Sequence, residues 1–143
     1  MGYQIILFVC KGNSGRSQIA EAFFNTFSKN TKSISAGIEP DKEIHPWTIK
    51  VMEEVGIDVK KQKPKKLTEN LLKKADKIIV MDSDLIEKIP KNFLIKTENW
   101  EIDKLLGKTF EEVKEIRDKI SKKVKQYEKK ISKKKFLSPS SID

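Results

Sequence analysis

The chain has one cysteine, one histidine and, among its 30 Lys plus Arg residues, only two arginines, Arg16 and Arg117. A single cysteine, Cys10, excludes an intrachain disulfide and any relay of oxidation between cysteines of the same chain. It fits a reducing compartment, so the expected location is cytoplasmic. Such a residue is either a small buried hydrophobe or a nucleophile. The single histidine, His45, excludes a histidine-based metal cluster, and nothing in the sequence calls for a metal or an organic cofactor. No apolar run approaches the about 18 residues of a membrane span. The opening MGYQIILFVC has neither a basic n-region nor a small-residue cleavage site, and reads as a first strand. The formal charge of +9 comes from lysines interleaved with glutamates, as on solvated faces. Aromatic residues do not alternate with the basic ones as a base-stacking platform requires. Nucleic acid and membrane are therefore not expected partners.

At 143 residues one domain is expected, over 1–135, with a loose tail over 136–143. Tyr3–Val9 is a continuous apolar run, as in a strand buried on both faces of a parallel sheet. Ile19, Ala20, Phe23, Phe24 and Phe27 recur at helical spacing and predict a helix over about 17–29. A short strand is expected at Lys32–Ser35. A helix over Ile49, Met52 and Val55 ends at Gly56. Thr68 caps a short helix, Lys77–Met81 is another buried strand, and Asp82 or Ser83 caps a short helix that stops at Pro90. Phe93–Lys96 reads as a fourth strand. Thr109 and Glu112 form a capping box for a long last helix, with Val113, Ile116, Ile120, Val124, Tyr127 and Ile131 along one face. Alternating strands and helices predict an α/β fold with a mostly parallel sheet.

The chemistry centres on VCKGNSGRS, residues 9–17, between the first strand and the first helix. Residues 10–17, CKGNSGRS, superficially match a nucleotide-binding P-loop. That loop needs a glycine where Cys10 stands and a lysine where Arg16 stands. In a chain this rich in lysine, its absence there excludes the reading. With Cys10 as the attacking group the same loop makes sense. Thiolate is the nucleophile, and successive backbone N–H groups at a helix N-terminus favour an anion. The same amides, from Lys11, Gly12, Asn13, Ser14, Gly15, Arg16 and Ser17, would hold phosphate oxygens. Gly12 and Gly15 permit left-handed or tightly wrapped backbone. Asn13 tolerates positive φ and braces the loop. Arg16 supplies a planar fork for two oxygens, which lysine cannot. The Ser17 hydroxyl reaches the Cys10 sulfur.

VCKGNSGRSQIAEAFF resembles the signature of the low-molecular-weight protein tyrosine phosphatase family, which also contains the thioredoxin-coupled arsenate reductases. The likeness continues through SISAGI (33–38), HPWTIKVMEEVGIDV (45–59), ADKIIVMD (75–82) and NWEIDKLLGKTFEEVKEIRDKI (99–120), nearly the whole chain. The resemblance implies a three-layer α/β fold, a four-stranded parallel sheet flanked by helices, with the phosphate-binding loop after the first strand. It implies a phosphocysteine intermediate on Cys10, with Arg16 binding the phosphoryl group and Asn13 and Ser17 supporting the loop. The implied substrates are a phosphotyrosine protein or a small phosphomonoester, with phosphate or another oxyanion as ligand. The family's general acid is an aspartate in a D-P dipeptide, which this chain lacks. Counting back from Gly107 puts Lys104 at that place. Asp103, one residue earlier, is the expected acid, and Glu101 a poorer one. Leu105 and Leu106 stand where the phosphatases often carry aromatics. With one cysteine, arsenate reduction would need an external thiol; that and a non-catalytic oxyanion binder are the alternatives. Trp47 and His45 are expected beside the substrate pocket, with core packing and helix opening as their plainer roles. Trp100 is expected to pack at the end of its strand, Asp82 to cap or support the loop, and Arg117 to be a surface or ion-pair residue.

Overall fold

The computed structural model describes residues 4–136. Its centre is a four-stranded parallel sheet in the order β2-β1-β3-β4. β1 is Ile5–Cys10, and β2 is Lys32–Gly37. β3 is Lys77–Val80, and β4 is Thr97–Asn99. Ile6 to Val9 are fully buried, as expected of a central strand covered on both faces. Helices flank the sheet: α1 (Arg16–Phe27), α2 (Pro46–Glu53), α3 (Glu69–Lys74) and α4 (Phe110–Phe136).

The helix boundaries follow their caps. Thr68 Oγ1 accepts from Leu71 N at 3.2 Å to open α3. The capping box of α4 is reciprocal, with Thr109 N–H donating to Glu112 Oε1 (2.9 Å) and Glu112 N–H to Thr109 Oγ1 (3.1 Å). Val113, Ile116, Ile120 and Val124 of α4 are buried. α2 runs out at Gly56, whose φ of 80° lets Ile57 N–H return to Met52 O. Of the two roles expected for Arg117, the structure shows the ion pair, with Glu54 and Asp118 at 2.9 Å, on a buried side chain. Arg117 is 8% exposed and donates to Val51 O and Glu54 Oε1, both at 2.9 Å, tying α4 to the end of α2. That bond holds the Glu54 carboxyl below its ordinary range. Phe136 closes α4; the rest of the expected tail, like Tyr3, lies outside the described residues.

The fourth strand differs from the sequence expectation. Lys91–Lys96 is a 3-10 helix, and the strand is the polar Thr97–Asn99 that follows it. Pro90 opens that helix and accepts from Phe93 N at 2.9 Å. The apolar trio Phe93, Leu94 and Ile95 suggested a buried strand, but only Phe93 is buried and Ile95 is 94% exposed.

β2 is also longer than expected. Ala36 and Gly37 pair with Val9 and Cys10, which carries β2 to the edge of the phosphate-binding loop. A Cβ on Gly37 would lie 2.6 Å from Lys11 O and 2.9 Å from Asn13 N, both backbone atoms. Gly37→Ala is therefore expected to cost about 1–3 kcal/mol by overpacking. Chemical denaturation checks this, and an unchanged midpoint would show that the loop can shift freely.

Candidate active site

Strand alternation puts Cys10 on the same face as Phe8, which packs edge-on against Phe24 (6.1 Å) and Trp100 (5.5 Å). Trp100 thus sits just past β4, as expected. Cys10 is 3% exposed. The loop after it folds back over the sulfur. Asn13 N–H donates to Cys10 Sγ at 3.2 Å, and Ser17 Oγ lies 2.8 Å from the same atom.

The backbone of this loop is polarised. The carbonyls of Cys10, Lys11 and Gly12 accept from the N–H groups of Ile38, Glu39 and Asp41 at 3.2, 2.9 and 2.9 Å. Asn13 O accepts from Gln18 Nε2 at 3.0 Å. Ser14 O accepts from His45 N (3.1 Å) and Thr48 Oγ1 (2.9 Å). The N–H groups of Lys11, Gly12, Ser14, Gly15, Arg16 and Ser17 have no protein acceptor among the described residues. Carbonyls are tied to the scaffold, while six amides at the head of a 12-residue helix stay available. Such a run of free donors is a cradle for an anion.

The residue in the left-handed region is Asn13, with φ 51°; neither Gly12 nor Gly15 is. The two glycines instead serve close wrapping. A Cβ on Gly15 would stand 2.5 Å from Leu105 Cδ1, and one on Gly12 would meet the Asp41 carboxylate. Asn13 is fully buried and braces the loop with its side chain. Its Nδ2 donates to Ser17 Oγ (2.8 Å) and Ser35 Oγ (2.9 Å). Its Oδ1 accepts from Gln18 Nε2 (3.1 Å) and Lys65 N (2.8 Å). Ser35 in turn donates to Glu21 Oε1 at 2.6 Å. Burial raises the Glu21 carboxyl above its ordinary range, opposed by the Ser35 hydrogen bond and the charge of Lys65.

Arg16 is 6% exposed. Its Nη1 donates to Asp82 Oδ2 and to Ile102 O, both at 2.8 Å. Nothing among the described residues accepts from Nε or Nη2, so one edge of the fork is anchored and the rest is free. Asp82 does both jobs open to it: its other oxygen accepts from Asp84 N at 3.0 Å and caps the following 3-10 helix.

The segment carrying Asp103 crosses this site. Ile102 binds Arg16 through its carbonyl and Met81 O through its amide (2.7 Å), and Leu105 covers Gly15. Asp103 itself is exposed and makes no hydrogen bond or ion pair among the described residues. Lys104 pairs with Asp84 at 2.8 Å. Glu101 points into a local turn with Asn99 at a φ of 51°. His45 opens α2, its Nδ1 accepting from Trp47 N at 3.0 Å, while its own amide reaches Ser14. Trp47 is 37% exposed and sits edge-on to His45 and Phe110.

Of the residues singled out in the sequence, the structure brings Cys10, Asn13 and Ser17 into direct contact, and Arg16, at the start of α1, is held by Asp82 and Ile102. Sequence reading missed Ser35, Gln18, Lys65 and Asp41, which join the loop from elsewhere. Ser35 carried a signal: it is a polar residue in a buried strand, and such groups need partners. Ser14 Oγ donates to Asp41 Oδ2 at 2.5 Å. Among the described residues no cluster of three or more His, Cys, Asp or Glu is placed to hold a metal, and no helix is long and apolar enough to cross a membrane.

The model of the low molecular weight phosphotyrosine protein phosphatase family matches residues 5–137. A protein of Staphylococcus aureus (strain bovine RF122 / ET3-1) named arsenate reductase is 33% identical over 124 residues, 84% of this chain and 92% of its own. Among solved structures, Wzb of Vibrio vulnificus in complex with benzylphosphonate is 26% identical, with a TM-score of 0.83 over 90% of this chain and 99% of its own. An arsenate reductase in its oxidized state is 30% identical, with a TM-score of 0.79 over 90% and 98%.

Proposed function

Because the chain belongs to the low molecular weight phosphotyrosine protein phosphatase family, we propose that it hydrolyses phosphomonoesters through a phosphocysteine on Cys10. The observation that carries this reading is the run of six free amides on a loop whose residues 13 and 17 both touch the Cys10 sulfur. In the first step the sulfur attacks phosphorus, and the S–P bond forms as the P–O ester bond breaks. The amides and the free nitrogens of Arg16 hold the three equatorial oxygens as charge builds on them. Asp103 gives its proton to the leaving oxygen. In the second step Asp103 takes a proton from water, the water oxygen attacks phosphorus, and the S–P bond breaks to release phosphate.

The substrate is a phosphotyrosine protein or a small phosphomonoester. His45, bonded to Ser14, with Trp47 packed on it, and Leu105, packed on Gly15, are the side chains that would flank the bound substrate. The single thiol suits a cytoplasmic setting. A second reading is favoured by the relatives named arsenate reductase. Here Cys10 attacks arsenate, and an external small thiol supplies the electrons, since the chain has no second cysteine.

The test is hydrolysis of p-nitrophenyl and phenyl phosphate in EDTA by the wild type and Asp103→Asn. Wild-type turnover is expected without metal. The variant is expected to lose about 10²-fold or more on phenyl phosphate, whose leaving group needs a proton, and far less on p-nitrophenyl phosphate. Equal losses on both would remove Asp103 from the acid role. No wild-type turnover on either, with arsenate reduced when a thiol is added, would favour the second reading.

A further inference from the structure

Four residues run outward from the loop in a line, two carboxylates with a cation at each end. Arg16 pairs with Asp82, whose free oxygen binds the amide of Asp84, whose carboxylate pairs with Lys104. The side-chain exposures along this line are 7%, 14%, 74% and 57%, so Arg16 is the buried end and Lys104 the solvent end. Lys104 lies between Ile102, bonded to Arg16, and Leu105, packed on Gly15. The segment that carries Lys104 thus crosses the cradle, anchored to Arg16 on one side of it and to Gly15 on the other. The Asp84 hydrogen bond, with the charges of Asp84 and Asp82, raises the Lys104 ammonium above its ordinary range, opposed by burial and by the charge of Arg16. Asp103 and Glu101, both exposed, are the other acids on its own segment.

We propose that Lys104 is a specificity-determining residue, which binds a second anionic group carried by the leaving group of the substrate. The inference rests on the phosphomonoester reading. Asp84 is the place-holder for that group. An ion pair between side chains this exposed is worth little, so a substrate carboxylate or phosphate exchanges with Asp84 at small cost. The preferred substrates are then phosphomonoesters with an acid close to the phosphoryl group rather than neutral aryl or alkyl phosphates. An ammonium where the sequence resemblance leads one to expect an acid would read charge on the leaving group, a task distinct from giving it a proton.

The test compares 3- and 4-carboxyphenyl phosphate with phenyl phosphate. Binding is measured on the Cys10→Ser chain by calorimetry, alone and combined with Lys104→Gln or Asp84→Asn. With Lys104 present, at least one carboxylated isomer is expected to bind about two- to fivefold more tightly than phenyl phosphate. Lys104→Gln brings the ratio to one or below, and Asp84→Asn raises it by freeing the ammonium. High salt shrinks the ratio. The same ratio with and without Lys104, or no effect of Asp84→Asn, overturns the proposal. Turnover by the unsubstituted chain is scored separately. Binding ratios as expected without turnover would uphold the specificity and sink hydrolysis. Turnover with a flat ratio would do the reverse. No binding of any aryl phosphate would end both.

Discussion

Replacing Cys10 with serine is expected to lower phenyl phosphate turnover by about 10⁴-fold or more while inorganic phosphate binds at least as tightly as before. The two halves of this result have separate causes. Turnover needs a nucleophile that attacks as an anion, and a serine hydroxyl at neutral pH is not one. Anion binding needs the free amides and the Arg16 fork, and the scaffold around them holds without the sulfur. The outward carbonyls are tied to Ile38, Glu39, Asp41, Gln18 and His45, none of which hydrogen-bonds the Cys10 sulfur among the described residues. Arg16 is fixed by Asp82 and Ile102. A serine Oγ can keep the contact with Ser17 that Cys10 Sγ makes at 2.8 Å. Rapid acid quench adds an independent readout, since the wild type is expected to carry one phosphoryl group per chain and the variant none. Residual turnover above about 1% of wild type, with phosphate still bound, would place the nucleophile elsewhere.

The fold was legible wherever the core signal was local and apolar. β1, α1 and α4 announce themselves through runs or helical spacing of Ile, Val and Phe. The caps at Thr68, Asp82 and Thr109 are single side chains doing a job set by helix ends. β4 was not legible because its three residues, Thr97, Glu98 and Asn99, are only partly buried and carry no apolar pattern. Pairing with Ile78 to Val80 makes it a strand, and that is a property of the sheet. The neighbouring Ile95 shows the opposite error, an apolar residue left in solvent.

The site divides the same way. Cys10, Asn13, Arg16 and Ser17 lie within eight consecutive positions, so loop and helix geometry alone could bring them together. Their supports come from afar. Ser35 is 22 residues from Asn13, Lys65 is 52, and Ile102 is 86 from Arg16. Two of these act through backbone atoms, the Lys65 amide and the Ile102 carbonyl, which no residue type can reveal. Asp103 and Lys104 fall between the two cases. The sequence placed them beside the site, and the structure puts their flanking residues against Arg16 and Gly15.

Asn13→Ala is expected to cost about 3–5 kcal/mol of stability, a large share of the about 5–15 kcal/mol available to a small domain. Asn13 is fully buried with a φ of 51°. Alanine there carries about 1–2 kcal/mol of left-handed strain that asparagine relieves through local hydrogen bonding. Its side chain also serves four groups, Ser17 Oγ, Ser35 Oγ, Gln18 Nε2 and the Lys65 amide. Gln18 keeps other acceptors at Asn13 O and Lys63 O, and Ser35 keeps Glu21. The Lys65 amide loses its bond outright, which costs about 1–3 kcal/mol. Ser17 loses the donor that fixes its hydroxyl beside Cys10, so kcat is expected to fall by about 10- to 100-fold even in molecules that remain folded. Asn13→Gly separates the two causes. Glycine accepts the positive φ without strain and removes the same side chain. The difference between the alanine and glycine variants in chemical denaturation reads the strain, and the difference between glycine and wild type reads the lost hydrogen bonds. If both variants were as stable as wild type and turned over at its rate, the loop would hold its shape through its outward carbonyls alone, and the Asn13 side chain would have no part in the site.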